Sequence, residues 1–281
     1  MHQPQRSLVV TADDFGLSRE VNEAVEIAHR DGILTAASLM VAEPSCADAV
    51  VRARRLPDLA VGLHLTLVEG RALLPRSEIP DLIGANGRLR MDLARYGAEI
   101  FFRRGVRTQV AAEIRAQFEA FARTGLPLDH VNAHKHYHLH PTVAGLVLEI
   151  GRDFGMRALR VPVETTEVLA RVEPVSRGLE ARLAGPYAKL LRARARRQGL
   201  IVADQVFGLA WSGAMTARRF ARLLEVLPPG RTEIYAHPAG SGGFDGAAPG
   251  YRYADELAAL VHPDVVDAAR PLRRSGYAAW A

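Results

Sequence analysis

The first clear pattern is a short apolar, β-branched run, Ser7-Leu-Val-Val-Thr-Ala12, that stops at Asp13-Asp14-Phe15-Gly16 and so predicts a buried strand running into a polar turn. Ser18 is placed to cap a following helix, Glu20 lies in its first turn, and Val21, Ala24, Val25 and Ala28 share one face before Gly32. Ala36–Val41 predicts a second strand, Ser45–Leu56 a second helix, and Leu59–Val68 a third strand with His64 set between leucines. Thr108–Thr124 carries Val110, Ile114, Phe118 and Phe121 at helical spacing. The apolar approach Gly125-Leu-Pro-Leu128 then leads into a histidine-rich strand, and Pro141 opens a helix to Phe154. Ala158–Pro162, Ile201–Phe207 and Thr232–His237 predict three more strands, with a helix at Thr216–Leu227 and short closing helices at Ala254–Leu260 and Pro263–Ala269.

Two stretches break this rhythm. Residues 70–106 hold Pro75, Pro80, Gly84, Gly87, Gly97 and Gly105 with patchy apolar periodicity, and residues 164–200 are irregular as well. Strand–helix alternation implies a parallel sheet. The expectation is an α/β chain forming one domain over residues 1–281: a distorted, TIM-like (β/α) barrel of seven strands, with both insertions over the C-terminal face of the strands.

Composition narrows this only a little. At 281 residues, 48% hydrophobic and 24% charged, the chain has the balance of an ordinary globular protein. No apolar run approaches the roughly 20 residues of a spanning helix, and Met1–Arg6 leads into the first strand with no signal-peptide core. The one cysteine, Cys46, excludes an internal disulfide, fits a reducing compartment and is expected to be inert. A cytoplasmic location is therefore expected. The net charge of +5, largely arginine, fits either a coding bias or attraction to an anionic surface.

Chemistry enters at the strand ends. In a parallel barrel the active site lies at the C-terminal ends of the strands. Asp13 and Asp14 follow the first strand, His64 lies in the third, His134 in the fourth, Arg160 in the fifth, Asp204 in the sixth and His237 at the end of the seventh. One carboxylate and two imidazoles with open positions make a catalytic metal site, and a neighbouring carboxylate and a histidine can then serve as base and acid in hydrolysis. Asp13-Asp14 supplies two carboxylates, and Arg160 is suited to keep the base ionised.

Thr11-Ala-Asp-Asp-Phe-Gly16, Gly62-Leu-His-Leu65, Asn132-Ala-His-Lys-His136, Arg160-Val-Pro162 and Ala236-His-Pro238 together resemble the YdjC-type carbohydrate deacetylases, in order and spacing, over nearly the whole chain. Asn22–Glu26, Asp31–Met40 and His134–Thr142 resemble more narrowly the hopanoid-biosynthesis-associated (HpnK) branch. The resemblance implies a polysaccharide-deacetylase-like (β/α) barrel, one divalent metal ion, and removal of an N-acetyl group from an amino sugar. Zinc is the first choice of metal, with magnesium or another divalent transition metal as alternatives. It implies Asp14, His64 and His134 as metal ligands, Asp13 as the base, His237 as the acid and Arg160 as the residue orienting the base. Two positions depart from many relatives: Asn132 stands where an aspartate is common, which leaves the support of His134 open, and Lys135 where a histidine is common.

Five of the ten histidines lie between His130 and His140. His136, His138 and His140 would share a face with His134 only if the strand continued, and Pro141 ends it. His134 is thus expected as the one ligand from this run, His138 and Asp204 as residues reaching substrate or standing behind the ligands, and His130 as scaffold. The basic, leucine-interleaved stretch Arg177–Gly199 fits a solvated helix face or a contact with anionic lipid. Phe101–Arg104 has similar character, so the two are expected as a rim peripheral to the inner face of the membrane, serving an amino-sugar glycolipid substrate, acetylglucosaminyl-bacteriohopanetetrol. The alternatives are a soluble chitooligosaccharide such as diacetylchitobiose, or a non-catalytic basic binding protein. No aromatic–basic strand motif or helix-turn-helix signature supports nucleic acid as a partner, and a two-metal phosphate site would need more carboxylates.

Overall fold

The computed structural model describes residues 6–174 and 179–281, the side chains of 179–184 excepted. Among the described residues seven strands form one parallel sheet: β1 (Arg6–Phe15), β2 (Ala36–Leu39), β3 (Ala60–Leu65), β4 (Val131–Ala133), β5 (Gln205–Phe207), β6 (Gly230–Ala236) and β7 (Arg273–Arg274). Their order is β4-β3-β2-β1-β6-β5, with β7 pairing the start of β1. Ten helices among the described residues cover the outside: α1 (Arg19–Asp31), α2 (Cys46–Arg54), α3 (Leu93–Phe102), α4 (Arg104–Arg123), α5 (Pro141–Asp153), α6 (Thr166–Val172), α7 (Leu179–Arg197), α8 (Ala217–Val226), α9 (Tyr253–Leu260) and α10 (Pro263–Ala269).

The sheet curls. Beyond β4 its ladder continues only as isolated bridges, Val131 to Leu159 and Ala158 to Ile201, so the two ends are linked without a continuous strand between them. The expected fifth strand at 158–162 is therefore a bridged segment, and Pro162, which has no N–H, cannot extend it. The parallel α/β architecture is as expected, but its ladders form a curled sheet and not a regular TIM ring. The strand at Arg273–Arg274 is additional. Both stretches expected to be irregular hold helices. Residues 70–106 contain α3 and the start of α4, while 164–200 contain α6 and α7, the latter with Pro186 inside it.

Side-chain alternation divides the core in two. Leu8, Val10 and Ala12 of β1, Leu63 and Leu65 of β3, and Ile234 and Ala236 of β6 face outward into the large helix-covered core. Val9, Ala36, Ala158, Val206 and Tyr235 face into the curl, where Tyr277 and Trp280 of the C-terminal 3₁₀ turn join them. With a period of two, the inward row continues upward as Thr11 and Asp13, Ser38, His64, Asn132, Arg160 and His237. The inside of the curl is thus apolar at its base and polar at the strand ends.

Candidate active site

Asp13 and Asp14 are adjacent, and in a regular strand they would point to opposite faces. The β1–β2 register prevents this: Ala12 pairs with Ala37 but Phe15 with Leu39, so β1 carries one extra residue at this point. Such a bulge re-aims a side chain. Asp14 takes φ 62°, a left-handed conformation that aspartate tolerates better than most residues, and both carboxylates turn into the same buried space.

Asp14 Oδ1 lies 3.1 Å from His134 Nδ1 and 3.3 Å from His64 Nε2. Its own burial opposes ionisation, but the two histidines outweigh this and hold the Asp14 carboxyl well below the usual range. Burial would likewise lower His134, yet the Asp14 carboxylate raises it. One ligand atom from each of the three residues falls within 4.8 Å of the others, and among the described residues this is the group that could hold a metal ion.

The protons around this group can be assigned from acceptor-only carboxylates. Asn132 Nδ2 donates to Asp13 Oδ1 at 3.2 Å and to Ser38 Oγ at 2.8 Å, so its Oδ1 faces His64 Nδ1 at 2.6 Å and accepts from it. Ser38 Oγ is 3.0 Å from His130 Nε2, and His130 Nδ1 donates to Asp129 Oδ2 at 2.9 Å. His64 and Asn132 are register partners on β3 and β4, which is why the contact is direct. The residue left uncertain from sequence, Asn132, thus supports His64 and Asp13, not His134. His64 thus donates through Nδ1 and presents Nε2 to Asp14 Oδ1 at 3.3 Å. The donor set, one carboxylate and two imidazoles, fits a divalent metal.

Asp13 lies beside this group with a different partner. Arg160 Nη1 donates to its Oδ2 at 2.5 Å, while the other side of the same guanidinium meets Glu233, Nη2 to Oε1 at 2.7 Å and Nε to both oxygens at 3.0 Å. Glu233 also accepts from Thr11 Oγ1 at 2.6 Å and from the Tyr277 hydroxyl. Arg160, Asp13 and Glu233 are all buried. Burial would push the Asp13 carboxyl up, but Arg160 above all, with His64 and His237, holds it well below the usual range.

His237 directly follows β6, its ring edge-on to Tyr235 at 5.7 Å and to Tyr251 at 5.1 Å. Buried Glu256 of α9 accepts from its backbone N–H at 2.5 Å, and Oε2 lies 3.9 Å from its Nδ1. Asp13, Asp14, His64, His134, Arg160 and His237 therefore converge on one end of the curl.

Others do not join them. After His134 the chain turns through left-handed Lys135 (φ 51°) and His136 (φ 52°), so strand alternation is lost. His136 meets the Tyr235 hydroxyl at 2.8 Å, and buried His138 donates from Nε2 to the Arg160 carbonyl at 2.8 Å, which places it behind Arg160. His138 is pulled down to about 4, chiefly by burial. Asp204 lies at the opposite end. β5 begins only at Gln205, so Asp204 precedes the strand instead of ending it, accepting from Arg231 N at 2.8 Å and pairing with Arg196 at 2.6 Å. Glu233 was missed from sequence, although a carboxylate inside a buried strand always demands a partner.

The same contacts place the last turns of one basic segment. Arg192 and Arg196 of α7 bond Asp204 beside the start of β6, and its seven residues put about 20 Å between there and His237. Phe101 of α3 packs near His140 at 6.4 Å, and Tyr137 donates to the Leu93 carbonyl, so α3 sits at the site end. Arg192 and Arg196 therefore lie away from Phe101–Arg104, although α7 as a whole also meets the 3₁₀ segment His134–Leu139 at the site end; Arg177 and the Arg182 side chain lie outside the described residues.

The sequence is 36% identical over 163 residues to a carbohydrate deacetylase of Brevibacillus brevis, covering 56% of this chain and 58% of that protein. A Vibrio vulnificus carbohydrate deacetylase is 36% identical over 168 residues, covering 59% of this chain and 61% of its own. These matches span about three fifths of the relatives' lengths. A Geobacillus stearothermophilus carbohydrate deacetylase matches more fully, 30% identical over 236 residues, 83% of this chain and 80% of that one. Among solved structures, an Enterococcus faecalis protein described in terms of cellobiose-phosphate cleavage superposes with a TM-score of 0.75 over 99% of both chains at 24% identity, a likeness of fold. The YdjC-like family model matches residues 7–270, and the chain belongs to that family.

Proposed function

We propose that the chain is a metal-dependent carbohydrate N-deacetylase, a hydrolase of an amide C–N bond. The observation that carries this reading is the bulge in β1, which sends Asp14 to His64 and His134 and Asp13 to Arg160. Two adjacent carboxylates thereby take different tasks. A divalent ion held by Asp14, His64 and His134, zinc by preference, would supply polarisation of the acetamide carbonyl and a lowered pKa for water. Asp13, kept ionised by Arg160, accepts the proton of the water whose oxygen bonds the carbonyl carbon. His237 delivers a proton to the nitrogen as the C–N bond breaks, so acetate and a free amine leave. Arg160 orients Asp13, and His138 supports Arg160 from its carbonyl. We take residues 1–281 as one domain.

The similarity to carbohydrate deacetylases supports an amino-sugar substrate. We favour the N-acetylglucosaminyl group of a hopanoid glycolipid, acetylglucosaminyl-bacteriohopanetetrol, over soluble diacetylchitobiose. In support, α3 and the segment before it present Met91, Leu93, Phe101 and Phe102 to solvent, Phe102 at 80% exposure, at the site end of the sheet. Arg104 follows at once and suits an anionic membrane surface. The basic helix α7, which also meets the 3₁₀ segment at the site end, stays with α3 as the peripheral contact at the inner face of the membrane, and the half-buried free thiol of Cys46 fits the reducing cytoplasm.

The test is incubation of the purified protein with acetylglucosaminyl-bacteriohopanetetrol and with diacetylchitobiose, with and without chelator, following loss of one acetyl mass. Asp13→Asn is expected to cut acetate release by about 10²–10⁴-fold while metal still binds. Full activity in that variant would overturn the assignment of the base.

A further inference from the structure

Tyr251 stands beside the site without a part in the chemistry above. Its ring lies 5.1 Å from that of His237, at 62°, and 5.6 Å from that of Tyr253. The ring is half-buried. Burial pushes its hydroxyl up against the opposing hydrogen bond with Ser212, and the carboxylates of Asp14, Glu256 and Asp13 add to the rise.

The position is held from the loop after β5. Ser212 Oγ lies 2.7 Å from the Tyr251 hydroxyl, and Arg252 N donates to the Gly213 carbonyl at 2.7 Å. Gly213 has φ +73°, and a Cβ there would stand 2.3 Å from Cγ and Cδ1 of the Tyr251 ring. Only glycine satisfies both the backbone conformation and the close approach. Glu256 then ties this loop to the acid, accepting from Met215 N at 2.8 Å and from His237 N at 2.5 Å. A tyrosine clamped at its hydroxyl and backed by bare backbone is a fixed, amphipathic plate with little entropy left to lose on binding.

We propose that Tyr251 is the wall on which the sugar ring of the substrate packs, set in place by Ser212 and Gly213. This rests on the deacetylase reading and adds a specificity-determining residue to it. A gluco-configured pyranose presents axial C–H groups on its faces and hydroxyls at its rim. An aromatic plate takes the face, leaving the equatorial acetamide free to point at Asp13 and His237.

The experiment uses the metal-loaded protein and its Tyr251→Ala, Tyr251→Phe and Gly213→Ala variants. KM and kcat are measured on acetylglucosaminyl-bacteriohopanetetrol and diacetylchitobiose, and binding is measured for chitobiose, the fully deacetylated disaccharide, which is not turned over. Tyr251→Ala is expected to raise KM about tenfold or more with kcat within about threefold, and to weaken chitobiose binding in parallel. Tyr251→Phe, which keeps the plate, should stay within about threefold of wild type in KM, whereas Gly213→Ala, which displaces it, should behave like the alanine variant. Thermal melting within a few degrees of wild type separates these effects from unfolding. Acetate release by wild type with an unchanged KM in Tyr251→Ala would overturn this inference and leave the deacetylase reading standing. Chitobiose binding lost in Tyr251→Ala, without acetate release by wild type, would do the reverse.

Discussion

His64 Nδ1 donates to Asn132 Oδ1 at 2.6 Å across the β3–β4 register, and the same amide donates to Asp13 at 3.2 Å. One side chain therefore sets the tautomer of a metal-ligand candidate and steadies the neighbouring carboxylate. Asn132→Leu, close in volume and unable to do either, is expected to weaken divalent metal binding by about 10–100-fold. Zinc titration of the metal-stripped protein checks this. An unchanged affinity would mean that His64 is held by its strand alone.

Arg160 is buried between two carboxylates, and Glu233, not Asp13, takes most of its hydrogen bonds. Removing one member of a buried ionic group leaves charge uncompensated, at a cost of about 3–5 kcal/mol. Glu233→Ala is expected to destabilise by that order in urea unfolding. A loss below about 1 kcal/mol would show that Asp13 compensates the guanidinium unaided.

Why these two residues differed in visibility is a matter of position. Asp13, Asp14, His64, His134 and His237 stand out in the sequence because polar residues at the ends of apolar runs mark the rim of a parallel sheet. Glu233 lies within its run, where nothing but the need of a buried carboxylate for a partner betrays it, and the partner, Arg160, is 73 residues away. Asp204 was misplaced by a strand start: bridging at Ile201 and pairing from Gln205 leave it at the wrong end of the sheet. Gly185-Pro186 hid α7, and the two left-handed residues after His134 could not be foreseen from a run of alternating histidines. Tertiary context overrode local pattern in each case.

Asp129 closes the far end of the inner network, accepting from His130, from Tyr277 N at 3.1 Å and from Ala278 N at 2.9 Å. Burial opposes its ionisation, but His130 and the two backbone donors leave its carboxyl below the ordinary value. A depressed folded pKa means the unfolded chain binds the proton more readily. The stability from this group is thus present above about pH 4 and lost as pH falls through the lower folded value. Asp129→Asn is expected to cost roughly 1.5–3 kcal/mol at pH 7 and less at pH 3. Urea midpoints of both proteins at the two pH values measure this. An equal difference at each pH would sink the electrostatic account.

Gly62 lies in the middle of β3, paired with Ser38. A Cβ at this position would meet the His130 ring at 2.5–2.6 Å. The missing side chain is what lets His130 lie across β3 and reach Ser38 Oγ at 3.0 Å, the link that joins Asp129 to Asn132. Gly62→Ala therefore does two things. It overpacks a buried strand, for about 1–3 kcal/mol of stability, and it pushes His130 off Ser38, freeing the Ser38 hydroxyl that accepts from Asn132. Gly62→Ala is expected to lower the urea midpoint by that amount and to weaken zinc binding less than Asn132→Leu does, because Asn132 keeps its direct bonds to His64 and Asp13. His130→Ala in the same background removes the clashing ring. Because His130→Ala also takes a partner from Asp129, the comparison is with His130→Ala alone: in that background Gly62→Ala is expected to cost under about 1 kcal/mol, and an undiminished cost would place the strain elsewhere than at His130.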